Sequence, residues 1–153
     1  AGEYIDSLYD GSPILLVSIL NGAFVFMADL CREVKVPCEI AFMAAKSYYE
    51  GTESSGNVEI TMDLKHDISK YHVVVIEDII DTGLTAKFLI DFINNNFQTK
   101  STKFCSFLDK RIARKTDVKP DYYGFEMDDK FVVGYGLDYE GYFRNLDYIV
   151  YKK

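Results

Sequence analysis

The segment "VVVIEDIIDTGLT", Val73–Thr85, sets four apolar residues before Glu77-Asp78, two more after them, and then Asp81-Thr82-Gly83 ahead of a helical pattern. A short apolar run of this kind is a buried strand, so the two acids fall where it emerges, and Asp81–Thr85 is the turn into the next helix. Backbone N–H groups at that helix start, together with the Thr82 and Thr85 hydroxyls and flexible Gly83, make a pocket for a phosphate monoester. Glu77 and Asp78 cannot belong to that pocket, because carboxylates repel phosphate. They suit sugar hydroxyls, or a divalent ion shared with a second phosphate group. The combination describes a ribose 5-phosphate lying along one strand end.

Other readings of the same residues are weaker. A single acid at such a place is more often a helix cap or a solvated strand end, but three acids here make that the minority reading. A phosphorelay receiver carries its acids after the first strand, with a further Asp and a Lys closing later strands, whereas these acids come mid-chain. An aspartic protease needs a second Asp-Thr-Gly loop in an all-β setting, and neither is present.

The elements that position this segment follow from the hydropathy pattern. "SPILLVSIL" (Ser12–Leu20) is a strand buried on both faces and broken by Asn21-Gly22. Phe24, Met27, Ala28 and Cys31 then recur at helical spacing over Ala23–Val34. Cys38–Tyr49 reads as a second strand, Glu50–Asn57 as a mobile loop, and Val58–Met62 as a resumed strand. His72–Glu77 is the next buried strand, Leu84/Phe88/Phe92 with Thr85/Leu89/Ile93 a helical stripe, and Ser101–Leu108 a further strand. Strands alternating with helices imply an α/β fold with a parallel sheet and right-handed crossovers, whose binding chemistry lies at the strand C-termini. After Pro120 the chain changes to short aromatic pieces that look like small strands or a cap.

Composition bounds the rest. At 153 residues, one domain is expected. The chain is 48% hydrophobic and 27% charged with no apolar run near eighteen, which predicts a soluble protein without a membrane span. The opening "AGEYIDSLYDG" has no secretory pattern. A net charge of −7 and a pI near 4.8 give no footprint for broad nucleic-acid or anionic-membrane binding. Cys31, Cys38 and Cys105 form no C-x-x-C pair and suit reduced thiols in a cytoplasm. With only His66 and His72, a zinc site is not expected, so any metal should be hard and oxygen-bound.

Val73–Thr85 closely resembles the thirteen-residue phosphoribosyl pyrophosphate signature of the type I phosphoribosyltransferases, both acids included. Other segments resemble the purine-salvage branch that acts on hypoxanthine and guanine. "SILNGAFVF" (Ser18–Phe26) is similar to its pyrophosphate loop and following helix, "KSYYEGTESSGN" to its flexible catalytic loop, and "LDKR" with "KFVVGYGLDYEGYFRNL" (Lys130–Leu146) to its base-binding hood. The likeness runs from Pro13 to Val150. It implies the type I phosphoribosyltransferase fold: a mostly parallel sheet flanked by helices, a core over about residues 12–110, and a hood over about 111–153 plus the N-terminal segment.

The resemblance also implies roles. Phosphoribose would pass from phosphoribosyl pyrophosphate to a purine nitrogen, with Glu77 and Asp78 on the ribose hydroxyls and Asp81, Thr82, Gly83, Leu84 and Thr85 around the 5-phosphate. Asp81 would take or share the proton on the purine imidazole nitrogen. Leu20, Asn21 and Gly22 would meet pyrophosphate, with a cis peptide between Leu20 and Asn21, and Arg144 would reach the leaving group. Mg²⁺ would be held by Asp138 and substrate oxygens, with Glu77 and Asp78 as further hard donors. Lys110 would donate to the purine 6-oxo group, Phe131 would stack on the ring, and Val132 would touch it through the main chain; Asp138 completes the base side. Ser47 and Tyr48 would close over the reacting centre. Without the resemblance, Lys110 reads equally well as one of several basic residues on a solvated loop, Asp138–Arg144 as an exposed ion pair, and Phe131 and Val132 as strand core. A homodimer or homotetramer and no nucleic-acid partner complete the expectation. A regulator that keeps this fold while binding nucleic acid should show a basic face, and this chain is acidic.

Overall fold

The computed structural model describes residues 1–50, 53–64 and 67–151, with the side chains of 47–50 and 53–57 left outside that description. In chain order the elements are α1 (Gly2–Asp6), β1 (Ile14–Leu20), α2 (Phe24–Glu33), β2 (Cys38–Glu50), β3 (Glu53–Met62) and β4 (His72–Ile80). They continue with α3 (Leu84–Asn96), β5 (Ser101–Asp109), a 3-10 turn at Arg111–Ala113, β6 (Tyr122–Glu126), β7 (Val132–Val133) and β8 (Val150–Tyr151). The main sheet has the order β3-β2-β1-β4-β5-β6, parallel throughout except for β3, which runs antiparallel on β2.

The central strands are apolar on successive residues because both faces are covered. Leu15, Val17 and Ile19 of β1 and Val73 and Val75 of β4 pack with Leu89 and Ile93 of α3. The alternate residues Ile14, Leu16, Val74 and Ile76 pack with Phe26, Met27 and Leu30 of α2. A strand buried on both sides has no polar face to alternate with, and this is the pattern that both apolar runs carry.

Three expectations are corrected. β4 does not stop at Glu77: Ile79 pairs with Leu108 and Ile80 with Asp109, so the ladder with β5 carries the strand three residues further. Residues 50 and 53–57, read as loop because they lack apolar side chains, belong to β2 and β3, with Glu50 opposite Glu53, Tyr49 opposite Ser54 and a register shift before Val58 pairs with Ser47; residues 51–52 lie outside the described residues. Tyr122–Glu126, grouped from sequence with the cap, is the edge strand of the main sheet. It is locked to β5 by the Asp121 carboxylate, which accepts from the Phe104 N–H at 2.9 Å and from Lys103 Nζ at 2.9 Å. What stands apart from the main sheet is the antiparallel pair β7–β8 with the turns between them.

The N-terminal segment packs on the core. Ile5 is fully buried in the cluster under α2, Tyr4 stacks on Tyr122 with ring centroids 5.5 Å apart, and the Asp6 carboxylate accepts from the N–H groups of Lys35 and Val36. No helix among the described residues is long and apolar enough to cross a membrane. The three cysteines are free, and burial pushes the Cys105 thiol up to about 12.

Candidate active site

Because β1, β4 and β5 are adjacent and parallel, their C-terminal ends open onto one edge of the sheet and deliver three loops side by side. From β1 comes Leu20-Asn21-Gly22, whose Leu20–Asn21 peptide is cis. From β4 come Glu77, Asp78 and the Asp81–Thr85 turn. From β5 comes Asp109-Lys110, tied to β4 by the Lys110 N–H donating to the Ile80 carbonyl at 2.9 Å. At Gly22 a Cβ would overlap the Asp78 carboxylate, so only glycine lets this loop lie against that acid.

Glu77 is buried at the end of an apolar strand, 9% exposed, with Asp78 next to it. Burial raises the Glu77 pKa well above the usual carboxylate range, and the negative charge of Asp78 raises it further. Asp78 is also raised, chiefly by burial; the Ile79 N–H, which donates to Oδ1 at 2.8 Å, and the positive charge of Arg144 oppose the shift. A carboxyl whose folded pKa lies above its unfolded value binds more protons in the native state, so its charge costs stability as pH rises through that interval. Glu77→Gln is therefore expected to raise the thermal midpoint of the free protein at neutral pH, by roughly 2–4 °C per kcal/mol recovered. The gain should shrink toward pH 4, where wild-type Glu77 is protonated too. Thermal melts of both proteins across pH check this, and a lower midpoint for the variant at pH 7.5 would contradict it.

The Asp81–Thr85 turn is shaped from behind. Gly83 has φ +82°, the left-handed region that glycine enters freely, and it precedes α3 as the N-cap residue. The Asp81 carbonyl accepts from Arg114 Nε at 3.2 Å and the Thr82 carbonyl from the Lys115 N–H at 2.8 Å. The Thr82 hydroxyl approaches the Leu84 N–H at 3.4 Å. The Asp81 side chain is half exposed and faces Lys110 Nζ at 3.7 Å. Lys110 itself is 9% exposed, and its ammonium is held at 2.7 Å by Asp129, an acid the sequence reading did not single out. A signal existed: the adjacent acids Asp128-Asp129 stand two and three residues before Phe131, where a buried lysine needs a counter-charge.

The β7–β8 unit and the turns around it carry the remaining residues singled out from the sequence, Phe131, Val132, Asp138 and Arg144. Phe131 is 53% exposed, its ring edge-on to Tyr139 at 5.8 Å, and with Val133, Phe143 and Tyr148 the two line an apolar cavity of about 370 Å³. Val132, three residues after the Asp129 that holds the Lys110 ammonium, pairs with Tyr151 on β8. Asp138 and Arg144 form an ion pair at 2.8 Å; the second Asp138 oxygen accepts from the Gly141 N–H at 2.8 Å, and Arg144 also donates to the Gly136 carbonyl at 2.7 Å. Asp138, Glu77 and Asp78 are not gathered into one cage: among the described residues no three metal-ligating groups converge. Ser47 and Tyr48 lie on the β2 backbone, and their side chains fall outside the described residues.

The family model for a phosphoribosyl transferase domain matches residues 1–140. The chain is 45% identical over 147 residues to a hypoxanthine phosphoribosyltransferase of Salmonella typhimurium, covering 96% of this chain and 80% of that one. Its fold superposes with a TM-score of 0.93 on a crystal structure of a hypoxanthine phosphoribosyltransferase from Staphylococcus aureus, at 40% identity over 99% of this chain and 82% of the other. It superposes with a TM-score of 0.88 on the Trypanosoma cruzi hypoxanthine phosphoribosyltransferase in complex with the product IMP, at 37% identity over 98% and 84% of the two chains.

Proposed function

The chain belongs to the phosphoribosyl transferase family, and from that premise we infer that it transfers the 5-phosphoribosyl group from phosphoribosyl pyrophosphate to a 6-oxopurine. The products are the nucleoside monophosphate and pyrophosphate, and the activity is that of a hypoxanthine phosphoribosyltransferase in purine salvage. Hypoxanthine and guanine are the bases assigned, with xanthine as the third candidate. The observation that supports this best is the placement of Asp81 between a left-handed Gly83 turn on one side and the buried Lys110 ammonium on the other. The phosphate end and the base end of one nucleotide would each meet their own chemistry there. Purified protein incubated with hypoxanthine and the donor should form inosine monophosphate; no product would refute the assignment.

In this reading the bond at the anomeric carbon breaks ahead of attack, so positive charge grows on the ribose and negative charge on the departing pyrophosphate. Glu77 and Asp78 accept hydrogen bonds from the ribose hydroxyls and place negative charge beside the cationic ribosyl group. The free protein holds them at raised pKa, and the hydroxyl donors of the substrate, which hydrogen-bond the charged form, lower it again. Amides of Thr82 to Thr85 and the threonine hydroxyls receive the 5-phosphate. Asp81 takes the proton from the purine imidazole nitrogen, Lys110 donates to the 6-oxo oxygen, Phe131 stacks on the ring and Val132 meets it through its backbone. Leu20, Asn21 and Gly22 receive pyrophosphate with Arg144, while Ser47 and Tyr48 close the site against water.

A divalent cation fits the donors present. Asp138 offers hard carboxylate oxygens close to Arg144, and Glu77 and Asp78 offer more, the oxygen donors that a hard divalent ion shared with substrate phosphates takes. Mg²⁺ is the ion we assign, and when bound it neutralises charge on the leaving pyrophosphate. Turnover should be lost in excess chelator and restored by added Mg²⁺; full activity in chelator would remove Asp138 from this role. We place the enzyme in the cytoplasm, where free Cys31, Cys38 and Cys105 stay reduced, and assign it a homodimeric or homotetrameric assembly.

A further inference from the structure

On the phosphoribosyl reading above, we propose that Arg114, with the backbone of Lys115, is the positioning element that turns the Thr82 and Gly83 amides toward the substrate 5-phosphate.

Three successive residues of the turn each meet the 114–116 segment. The Asp81 carbonyl accepts from Arg114 Nε at 3.2 Å, and the Thr82 carbonyl accepts from the Lys115 N–H at 2.8 Å. At Gly83 a Cβ would strike Thr116 Oγ1 and come within 2.7 Å of Arg114 Cδ, so the turn rests directly on these side chains. Among the described residues the only cis peptide is Leu20–Asn21, so those of the turn are trans. In a planar trans peptide the C=O and the following N–H point opposite ways. Fixing the carbonyls of Asp81 and Thr82 on the Arg114 side therefore directs the N–H groups of Thr82 and Gly83 to the other side. Two successive amides aimed alike form an anion-binding concavity, and here it opens at the start of a thirteen-residue helix.

Arg114 is itself held too firmly to be an incidental neighbour. Its guanidinium is 12% exposed and spends its remaining donors on the Asp109 carboxylate and the Val118 carbonyl. Asp109 is 1% exposed, lies at the C-terminal end of β5 opposite Ile80, and takes its second cation from Arg111 Nε at 2.9 Å. The planar fork spans three acceptors in fixed directions, which a lysine ammonium on a flexible stem cannot reproduce. Arg111 shares Asp109 but makes no described contact with the turn, which makes it the control.

A positioning role predicts a loss confined to the phosphate. Binding of inosine and of inosine 5′-monophosphate would be measured by calorimetry for wild type, Arg114→Lys, Lys115→Pro, Lys115→Ala and Arg111→Gln, well below their melting temperatures. The ratio of the two dissociation constants reports what the phosphate contributes. In Arg114→Lys that ratio should fall by about tenfold or more, the size of one or two charge-assisted hydrogen bonds, while inosine binding is kept. Lys115→Pro removes the N–H that holds the Thr82 carbonyl and leaves the buried charges intact; its loss of the exposed Lys115 ammonium is matched by Lys115→Ala, which keeps the N–H and should hold the wild-type ratio, and Arg114 already has the extended backbone (φ −63°, ψ 127°) that a following proline favours. Lys115→Pro should lower the ratio as well, and it carries the test alone should Arg114→Lys fail to fold. Arg111→Gln should leave the ratio at its wild-type value. A wild-type ratio in folded Arg114→Lys, or in Lys115→Pro, would overturn the proposal, as would an equal fall in Arg111→Gln or in Lys115→Ala. Wild-type protein that binds neither ligand would instead refute the phosphoribosyl reading itself.

Discussion

Asp81→Asn is expected to lower turnover by roughly the 10²–10⁴ that general acid–base catalysis contributes, with the fold and donor binding kept. The division of labour within this residue makes the expectation sharp. Its structural part is the backbone carbonyl that accepts from Arg114, which asparagine retains, whereas the half-exposed carboxylate has Lys110 at 3.7 Å as its described partner. Asparagine keeps that shape and loses the basic oxygen. Single-turnover kinetics with hypoxanthine, beside a thermal melt, separate the two parts. Near-normal turnover would reduce Asp81 to a helix-start residue, and a collapsed melt would make its carboxylate structural.

The second large effect concerns the base. Lys110 is buried with its ammonium held by Asp129 and facing Asp81. A 6-oxo oxygen can accept from a further N–H of that ammonium beside Asp129, whereas the 6-amino group of adenine presents a donor to a donor and leaves that N–H buried without an acceptor. Sites built to hydrogen-bond one group reject analogues lacking it by roughly 10⁴–10⁵, far more than a missing methylene costs. Hypoxanthine and guanine are therefore expected to be substrates and adenine not. Lys110→Ala should weaken the oxopurines without rescuing adenine, since removing a donor supplies no acceptor. Values of kcat/KM for the three bases in both proteins decide it. Wild-type use of adenine at the rate of hypoxanthine, or unchanged oxopurine kinetics in Lys110→Ala, would unseat the hood assignment while leaving the phosphoribosyl site standing.

Local signals carried the elements that are buried on both sides. β1, α2, β4, α3 and β5 were all legible because each has an apolar pattern with one geometric solution, and only their ends moved. β4 ran on through Ile80 because pairing with β5, a long-range fact, outweighed the acids that looked like a strand end. The β2–β3 pair was misread at Glu50 and at residues 53–57 because its cohesion there comes from backbone pairing and not from side-chain apolarity. β6 was taken for cap since its aromatic-rich YYGFE suits a half-covered edge strand as well as a detached one. Within the site, residues with a recognisable pattern could be named in advance. Arg114 could not, because it matters through Asp81, 33 positions away, and nothing local marks that pairing; the adjacent acids Asp128-Asp129 did offer a signal, but one that becomes legible only once Lys110, 19 positions from Asp129, is known to be buried.

The two-sheet layout has an evolutionary consequence. The residues assigned to the ribose and its 5-phosphate hang from the main sheet, whereas Phe131 and Val132, assigned to the base, and Asp138 and Arg144, assigned to the metal and the pyrophosphate, belong to the small β7–β8 unit and the turns around it. That unit is moored by a few contacts, notably Tyr135, whose ring lies 4.9 Å from Phe107 and whose hydroxyl donates to Asp29 at 2.5 Å. Selection can thus revise the aromatic side chains of that unit one at a time while inheriting the ribose 5-phosphate chemistry unchanged. Lys110 is the exception, since it is rooted in β5 yet assigned to the base. A lineage drifting toward a new base would therefore be expected to vary Phe131, Tyr139 and Tyr148 early and Lys110 late.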